Sequence, residues 1–388
     1  MKNSVGKPGP GQPTTGKLNK LVYSAGIILV ILMLAGCKGP STEALQAVDY
    51  APLSNDDWDV STPEAEGLDP LLVANLYYDA SELEKIYSVL VVKNGRLIAE
   101  DYFNEGSVAQ KALVQSATKS VTSALVGIAL DQGCLSSIDQ NMFAYFPEYA
   151  DRVSDSRKRE ITIQDMLQMR AGFPPEESDQ ALWKAVWSGN YDHLVVDFPL
   201  THDPGTTFQY SNLTAHWLGI IVARACDTDL ESLGRDYLFQ PLGAEVGRWR
   251  KDLDGYNWGA GELHLTARDA AKFGLLYLQD GEFEGNQIIS AEWVHDSLQT
   301  YAEDAYENIS GFKDIGYGYQ WWSATVGDYP VNFAWGHGGQ LIVLIDELDM
   351  VVVVTADPFY EVYGSQSWKH EEANFKLVAD FIASLPEG

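Results

Sequence analysis

The amino-acid sequence predicts an α+β fold, in which both ends of the chain build one antiparallel sheet and a mainly helical lobe is inserted between them. Strand-like apolar runs flank Asn94-Gly95 near the start and return between residues 316 and 356. The region of about 134–255 between them shows helical patterns and loops. A further helical pattern, roughly Ser365 to Leu385, closes the chain and flanks the sheet.

The first strands and the first long helix follow from local patterns. The stretch "YSVLVVKNGRLIAEDYF" places Asn-Gly between two apolar runs, which is a strong hairpin signal. A helix is then predicted from Ser116, because Val121, Leu125 and Ile128 share one side and Gly133 follows as its end.

The later elements are read in the same way. "ITIQDMLQMRAGF" begins with Thr162 as an N-cap, and "PGTTFQYSNLTAHWLGIIVARA" passes from a Pro-Gly turn into a helix. The stretches "GYGYQWW", "VNFAWGHGG" and "QLIVLIDELDMVVVVTA" are predicted strands. Four aromatic residues alternate along the first of these and are expected in the core: Tyr317, Tyr319, Trp321 and Trp322.

Composition and charge exclude some classes of protein. The chain has 388 residues, is 46% hydrophobic and carries a net charge of −29, so it can bury a large core. Its lysines and arginines form no extended basic stripe, which disfavours a nucleic-acid partner. The acidity fits solubility in a salty or extracellular setting.

The N-terminus has the features of an export signal. Lysines precede the apolar run Leu21–Gly36, which is shorter than a membrane-spanning helix and fits a signal-peptide core. Leu34-Ala35-Gly36-Cys37 resembles the lipobox of bacterial lipoproteins. We therefore expect a signal peptide at 1–36, a lipidated Cys37 with a tether at 37–60, and the main folded domain at 61–388. An uncleaved membrane anchor is the alternative; both predict an exported, tethered protein, and the outer membrane is preferred.

Two further cysteines, Cys134 and Cys226, remain within the domain. In an exported protein they could form a disulfide, but two buried thiols are equally compatible with the sequence. The cysteine and histidine spacing gives no metal-site pattern.

Ser116 and Lys119 are the first candidate catalytic residues. Ser-x-x-Lys occurs three times, but only this copy opens a strongly apolar helix. Residues three apart share one helix face, and a desolvated lysine beside a serine can accept its proton.

Two later motifs could complete such a site. Tyr210 and Asn212 follow a Pro-Gly turn and precede a helix, so the phenol could relay a proton and the amide could hold the lysine or a substrate. His337-Gly338-Gly339 directly precedes an apolar strand, where glycines allow close approach of a substrate. The N–H of Gln340 could join that of Ser116 as an oxyanion donor.

In this order, the three motifs resemble those of the serine β-lactamase and penicillin-binding-protein superfamily. The resemblance is closest to its class C-like branch, which includes esterases, D-amino peptidases and 6-aminohexanoate-dimer hydrolases, and it runs from about Glu64 to Leu385. It implies Ser116 as nucleophile, Lys119 as the activating base and Tyr210 as proton relay. It also implies an oxyanion hole from the Ser116 and Gln340 amides and no cofactor. The remaining residues are implied in substrate binding: Asn212, His337, Gly338 and Gly339.

One departure from the family pattern bears on the substrate. Classical β-lactamases of this superfamily have a lysine at the position of His337, and a histidine is mostly neutral near pH 7. This favours an exported serine hydrolase acting on a small carboxylic ester or amide. The alternatives are a D,D-peptidase or β-lactamase, and an inactive, surface-tethered binding protein.

Overall fold

The computed structural model describes residues 39–49, 51–53, 57–178, 180–186, 194–359 and 365–386. Within them, seven strands form one sheet in the order β2-β1-β11-β10-β9-β8-β7, and every neighbouring pair is antiparallel. The short pairs β3–β4 and β5–β6 lie outside that sheet. The strands are β1 (Ile86–Lys93), β2 (Arg96–Tyr102), β3 (Ala112–Leu113), β4 (His264–Leu265), β5 (Glu282–Phe283), β6 (Asn286–Gln287), β7 (Phe312–Tyr317), β8 (Trp322–Val326), β9 (Tyr329–Gly336), β10 (Gln340–Ile345) and β11 (Met350–Ala356).

Helices cover both faces of this sheet. The described α-helices are α1 (Thr42–Gln46), α2 (Pro70–Ser81), α3 (Thr118–Asp131), α4 (Ile163–Leu167), α5 (Gln180–Val186), α6 (Leu194–Asp197), α7 (Asn212–Ala225), α8 (Leu230–Gly234), α9 (Ala267–Leu278), α10 (Ala291–Leu298) and α11 (Ser365–Ala383).

Alternation along the strands divides the core between the two faces of the sheet. Leu90 and Val92 of β1 face the cluster that contains α3, α7 and α9. Val89 and Val91 of the same strand face the cluster that contains α2 and α11. This period of two is the pattern expected of a sheet covered on both sides. The predicted fold class, with strands from both chain ends and α4–α8 in the inserted region, is confirmed.

The local predictions hold where a short pattern decides the structure. Asn94 and Gly95 have φ of 51° and 75°, as a tight hairpin between β1 and β2 requires. Helix α11 occupies the predicted C-terminal span. The aromatic stretch 316–322 differs, since a turn with Gln320 at φ 62° interrupts it and β8 begins only at Trp322. Its four aromatic residues are nevertheless buried.

The predicted tether at 37–60 is wrong for its described residues. Leu45 of α1 is buried. The main-chain N–H of Leu53 donates to the buried carboxylate of Glu100, and the main-chain oxygen of Leu53 accepts from the buried Arg268 side chain. Asp57 forms an ion pair with the same arginine at 2.5 Å. The folded unit therefore begins near Pro40. The predicted signal peptide at 1–36 and the lipid attachment at Cys37 lie outside the described residues.

Cys134 and Cys226 form a disulfide, which decides between the two states that the sequence allowed. The bridge joins the chain just after α3 to the residue that ends α7, across a separation of 92 residues. It ties together the two helices that carry Lys119 and Asn212.

In the part of the chain that the structure describes, no helix is long and apolar enough to cross a membrane.

Candidate active site

Ser116 lies in a single 3₁₀ turn, Gln115–Ala117, that runs directly into α3. Strand β3 leads into this turn, and its partner β4 follows the segment that contains Ala260. Gln115 has a φ of 50°, which is an unfavourable conformation for a residue with a side chain. Backbone strain of this kind is concentrated at functional sites because the surrounding structure must hold it in place.

Lys119 is the most constrained polar group of the site. It is 2% exposed, and its Nζ contacts three oxygen atoms. These are Oγ of Ser116 at 2.9 Å, Oδ1 of Asn212 at 2.9 Å and the main-chain oxygen of Ala260 at 2.8 Å. The structure thus brings the predicted serine, lysine and asparagine into direct contact. The Ala260 carbonyl is an additional partner that no side-chain motif could reveal.

Asn212 is oriented by Glu176, a buried carboxylate that the sequence analysis did not identify. Glu176 accepts hydrogen bonds from the Ser211 hydroxyl at 2.7 Å and from the main-chain N–H groups of Asn212 and Leu213 at 3.0 and 2.8 Å. The Asn212 Nδ2 also donates to Glu176, at 3.4 Å. With its amide nitrogen facing a carboxylate, Asn212 must present Oδ1 to Lys119. A carboxylate at the start of α7 also complements the helix dipole.

Tyr210 has its ring beside the amine of Lys119, with Nζ 4.8 Å from the ring centroid. The ring stacks on Trp322 at 5.5 Å and meets the edge of Tyr317 at 6.2 Å. Both aromatic residues were predicted to be core, and they also fix the orientation of the phenol. The structure thus places the Tyr210 ring beside Lys119, where the sequence analysis expected a phenol.

The third motif forms the turn between β9 and β10, and its glycines are explained by packing. Gly338 and Gly339 have φ of 84° and 81°. A Cβ on Gly338 would lie 2.7 Å from Cα of Pro358, and one on Gly339 would lie 2.5 Å from Nδ2 of Asn374. The sequence analysis attributed these glycines to close approach of a substrate. The structure gives a different reason, because the turn and its contact with α11 exclude side chains.

Gly336 is the point at which this turn meets the serine segment. A Cβ there would lie 2.1 Å from the Val114 oxygen, 3.0 Å from Cβ of Gln115 and 3.1 Å from Cβ of Gln340. The missing side chain lets the segments that carry the Ser116 and Gln340 amides lie side by side. The Gln340 side chain is hydrogen-bonded to both main-chain groups of Ala356, so it is engaged away from the site.

Glu371 of α11 is a second carboxylate that the sequence analysis missed. It is 2% exposed and binds the ring nitrogen Nδ1 of His337 at 3.0 Å, the indole N–H of Trp335 at 2.6 Å and the main-chain N–H of Gly338 at 2.9 Å. This hydrogen bond raises the pKa of His337, although partial burial opposes the shift. The carboxylate therefore favours the imidazolium form, an influence that the expectation of a mostly neutral His337 did not include.

The His337–Glu371 pair makes the stability of the fold depend on pH. Since the folded pKa of His337 lies above that of an unfolded histidine, the pair stabilises the fold fully at pH below about 6.5. This contribution is lost as the pH rises through the raised folded value. The His337 side chain is 47% exposed, so solvent screening limits its size.

We predict that Glu371→Gln lowers the pKa of His337, because it removes the carboxylate that favours the charged ring. Titration of the His337 imidazole NMR signals measures the change, which should move to lower pH. Glu372→Gln neutralises the next residue on the same helix and should leave the titration in place. If the His337 titration is the same in Glu371→Gln as in the parent protein, Glu371 does not stabilise its charge.

Comparison with known proteins identifies the family of this chain. The family model described as Beta-lactamase matches residues 87–371. The chain is 27% identical over 282 residues to the 6-aminohexanoate-dimer hydrolase of Paenarthrobacter ureafaciens, covering 68% of this chain and 70% of that protein. The fold of this chain is similar to that of the octameric penicillin-binding protein homologue from Pyrococcus abyssi, with a TM-score of 0.61 and 17% identity. The match covers 80% of this chain and 77% of that protein. The fold is also similar to that of EstCE1, a hydrolase with promiscuous acyltransferase activity, with a TM-score of 0.62, 15% identity and coverage of 79% and 97%. The chain belongs to the beta-lactamase family, shares its fold and is related to its serine hydrolases.

Proposed function

We propose that this protein cleaves a small carboxylic ester or amide through an acyl-enzyme on Ser116. The observation that carries the proposal is the triple contact of the buried Lys119 amine with Ser116, Asn212 and Ala260. An unpaired lysine of this burial would be costly, so the three oxygen atoms around it are required.

The chemistry of these three oxygens assigns a role to the lysine. The Asn212 Oδ1 and the Ala260 oxygen can only accept hydrogen bonds. A neutral amine has two hydrogens, and these two acceptors take both of them. Its lone pair then points along the 2.9 Å contact to Ser116 Oγ, where it can accept the hydroxyl proton.

The reaction follows from this arrangement in steps. Ser116 Oγ loses its proton to Lys119 and attacks the substrate carbonyl. The resulting oxyanion is stabilised by the Ser116 and Gln340 main-chain amides. Tyr210, beside Lys119, passes the proton to the leaving group, which departs to give the acyl-enzyme. Water then loses a proton to Lys119 and Tyr210 as it attacks the ester carbonyl, and these groups pass that proton to Ser116 Oγ as the carboxylic acid product departs.

A second candidate function is that of a D,D-peptidase or β-lactamase. It is favoured by the Glu371 contact, which stabilises a cationic His337 at the position where antibiotic-cleaving relatives carry a lysine. Substrates of both kinds carry a carboxylate that such a cation can bind. The inactive binding protein is the least supported, because the Ser116–Lys119–Asn212 contacts serve proton transfer and are all retained.

We predict that Ser116→Ala abolishes hydrolysis of p-nitrophenyl esters, since the nucleophile is removed, and that a fluorophosphonate labels Ser116 alone. Turnover and peptide mapping of the labelled protein measure both. Ser310→Ala changes the serine of another Ser-x-x-Lys match, in a loop that begins before β7, and should retain parental activity. Full activity in Ser116→Ala would overturn the proposal.

Substrate comparison separates the two candidate functions. We expect short-chain esters or linear amides to be turned over faster than nitrocefin or D-alanyl-D-alanine peptides. Rapid nitrocefin hydrolysis, or a stable penicillin adduct on Ser116, would instead favour the second function. Both results retain Ser116 as the nucleophile, so the comparison addresses the substrate alone.

We further propose that the enzyme is an exported lipoprotein attached to the outer membrane through Cys37. The support is the apolar run Leu21–Gly36, which ends in Leu34-Ala35-Gly36 directly before Cys37. The Cys134–Cys226 disulfide is consistent with this compartment, because disulfides persist in oxidising surroundings.

The anchor can be tested in bacterial cells. Metabolic labelling with a palmitate analogue should mark the parent protein. On cell fractionation, the labelled protein should be found with the outer membrane. Cys37→Ala should lose the label, whereas Lys38→Ala, one residue later, should keep it. Equal labelling of Cys37→Ala and the parent would contradict the assignment.

A further inference from the structure

The Ala260 carbonyl that contacts Lys119 is held by side chains of two helices. It lies in the segment 258–261, which leads into β4. The preceding residue, Gly259, accepts a hydrogen bond from the Thr122 hydroxyl of α3 at 2.7 Å. Its N–H donates to Nδ1 of His216 of α7 at 3.2 Å. Both main-chain polar groups of Gly259 are therefore fixed from opposite sides.

The placement of these two side chains matches that of the site residues. Thr122 follows Lys119 by three positions on α3, and His216 follows Asn212 by four positions on α7, so each pair shares a helix face. Gly259 is seated so closely on α7 that a Cβ would lie 2.9 Å from the Ala215 oxygen. The helices that supply the lysine and its amide partner thus also position its third partner.

His216 is held in one chemical state by its surroundings. It is fully buried, and its Nε2 lies 2.9 Å from Oδ2 of Asp252. Since Nδ1 accepts the Gly259 N–H, the ring hydrogen must be on Nε2 and point to Asp252. The other carboxylate oxygen, Oδ1, accepts the main-chain N–H groups of Asp254 and Tyr256 at 3.0 and 2.9 Å. Burial lowers the pKa of His216, although Asp252 opposes this, and so favours the neutral ring.

We propose that His216 and Asp252 are positioning residues that keep the Ala260 carbonyl on the Lys119 amine. The inference rests on the proposed function, in which both amine hydrogens must be occupied for the lone pair to face Ser116. If the segment 258–261 moves, one hydrogen loses its acceptor and the amine can rotate. Proton transfer from Ser116 then slows, while the substrate-binding surfaces are unaffected.

The competing explanation is that His216 is a packed core residue, since its ring also lies against Trp258 with centroids 4.1 Å apart. The two explanations differ in which ring nitrogen matters. A positioning role needs the acceptor at Nδ1, which holds Gly259. A packing role needs only the volume and the partners of the ring.

Two substitutions at His216 separate these contacts. His216→Asn places an amide oxygen near the position of Nδ1, so it keeps the Gly259 contact and loses Asp252. His216→Gln reaches towards Asp252 and leaves the Gly259 N–H without its acceptor. We expect His216→Gln to lower kcat for a p-nitrophenyl ester by roughly 10- to 100-fold with little change in KM, the effect of a small misplacement of a reacting group. His216→Asn should restore most of that loss.

Asp252→Asn tests the same contact without changing the ring. Because Oδ1 is committed to two N–H groups, the new amide nitrogen faces Nε2 and requires it to accept. The ring hydrogen then moves to Nδ1 and opposes the Gly259 N–H. The expected kcat loss is similar to that of His216→Gln. Thr122→Val, which loosens Gly259 from the α3 side, should lower kcat in the same direction.

Melting temperature and the rate of fluorophosphonate labelling are measured for each variant alongside kcat. Tyr329→Phe, which removes a hydrogen bond to the Pro386 oxygen at the opposite end of β9, is the control for lost stability and should retain parental kcat. Parental kcat in His216→Gln and Asp252→Asn would overturn the positioning role. The positioning role would also be overturned if His216→Asn and His216→Gln lost equal fractions of kcat and these losses paralleled the decrease in melting temperature. If the parent protein itself is never acylated, the proposed function fails, and the positioning role fails with it.

Discussion

The buried amine of Lys119 is the constraint on which the arrangement of the site depends. A primary amine that is 2% exposed is stable only where oxygen atoms surround it. Here these oxygen atoms come from three separate parts of the chain: a 3₁₀ turn, the first residue of α7 and the segment before β4. Each part must be held in place for all three contacts to form, so much of the surrounding structure is explained by this one group.

Carboxylates in this site act mainly on the main chain. Glu176 binds the first N–H groups of α7, Asp252 binds two N–H groups of its own loop together with His216, and Glu371 binds the turn between β9 and β10. In each case a buried carboxylate fixes a main-chain segment that contributes to the site. Hydrogen bonds to a charged group in a buried setting are stronger than neutral ones, which suits this supporting role.

Sequence patterns predicted the features that depend on neighbouring residues. The Asn94-Gly95 hairpin, the apolar strands and α11 follow from local periodicity, and the Ser116, Lys119 and Asn212 contacts were anticipated from three motifs in order. The supports were missed because their contacts are distant in sequence. Glu371 follows His337 by 34 residues, and nothing in the sequence around either residue indicates the pair. The expectation of a mostly neutral His337 was therefore made without its carboxylate partner.

The prediction of a tether at 37–60 was wrong for its described residues for the same reason. Residues 37–60 have the polar, proline-containing composition of a linker, yet their described part is bound by buried side chains of Glu100 and Arg268. Composition describes a segment, whereas its contacts depend on the surface that the rest of the chain presents. The Ala260 carbonyl is the extreme case, because a main-chain oxygen has no signature in the sequence.

The most direct test of the acyl-enzyme is a pre-steady-state experiment with a p-nitrophenyl ester. Rapid mixing followed by acid quench and mass spectrometry of peptides should show a burst of p-nitrophenol, with the acyl mass on the peptide that contains Ser116. Omission of the ester should leave that peptide unmodified. Turnover at full rate with no acyl group on Ser116 at any time, or with the acyl group on another residue, would contradict the account.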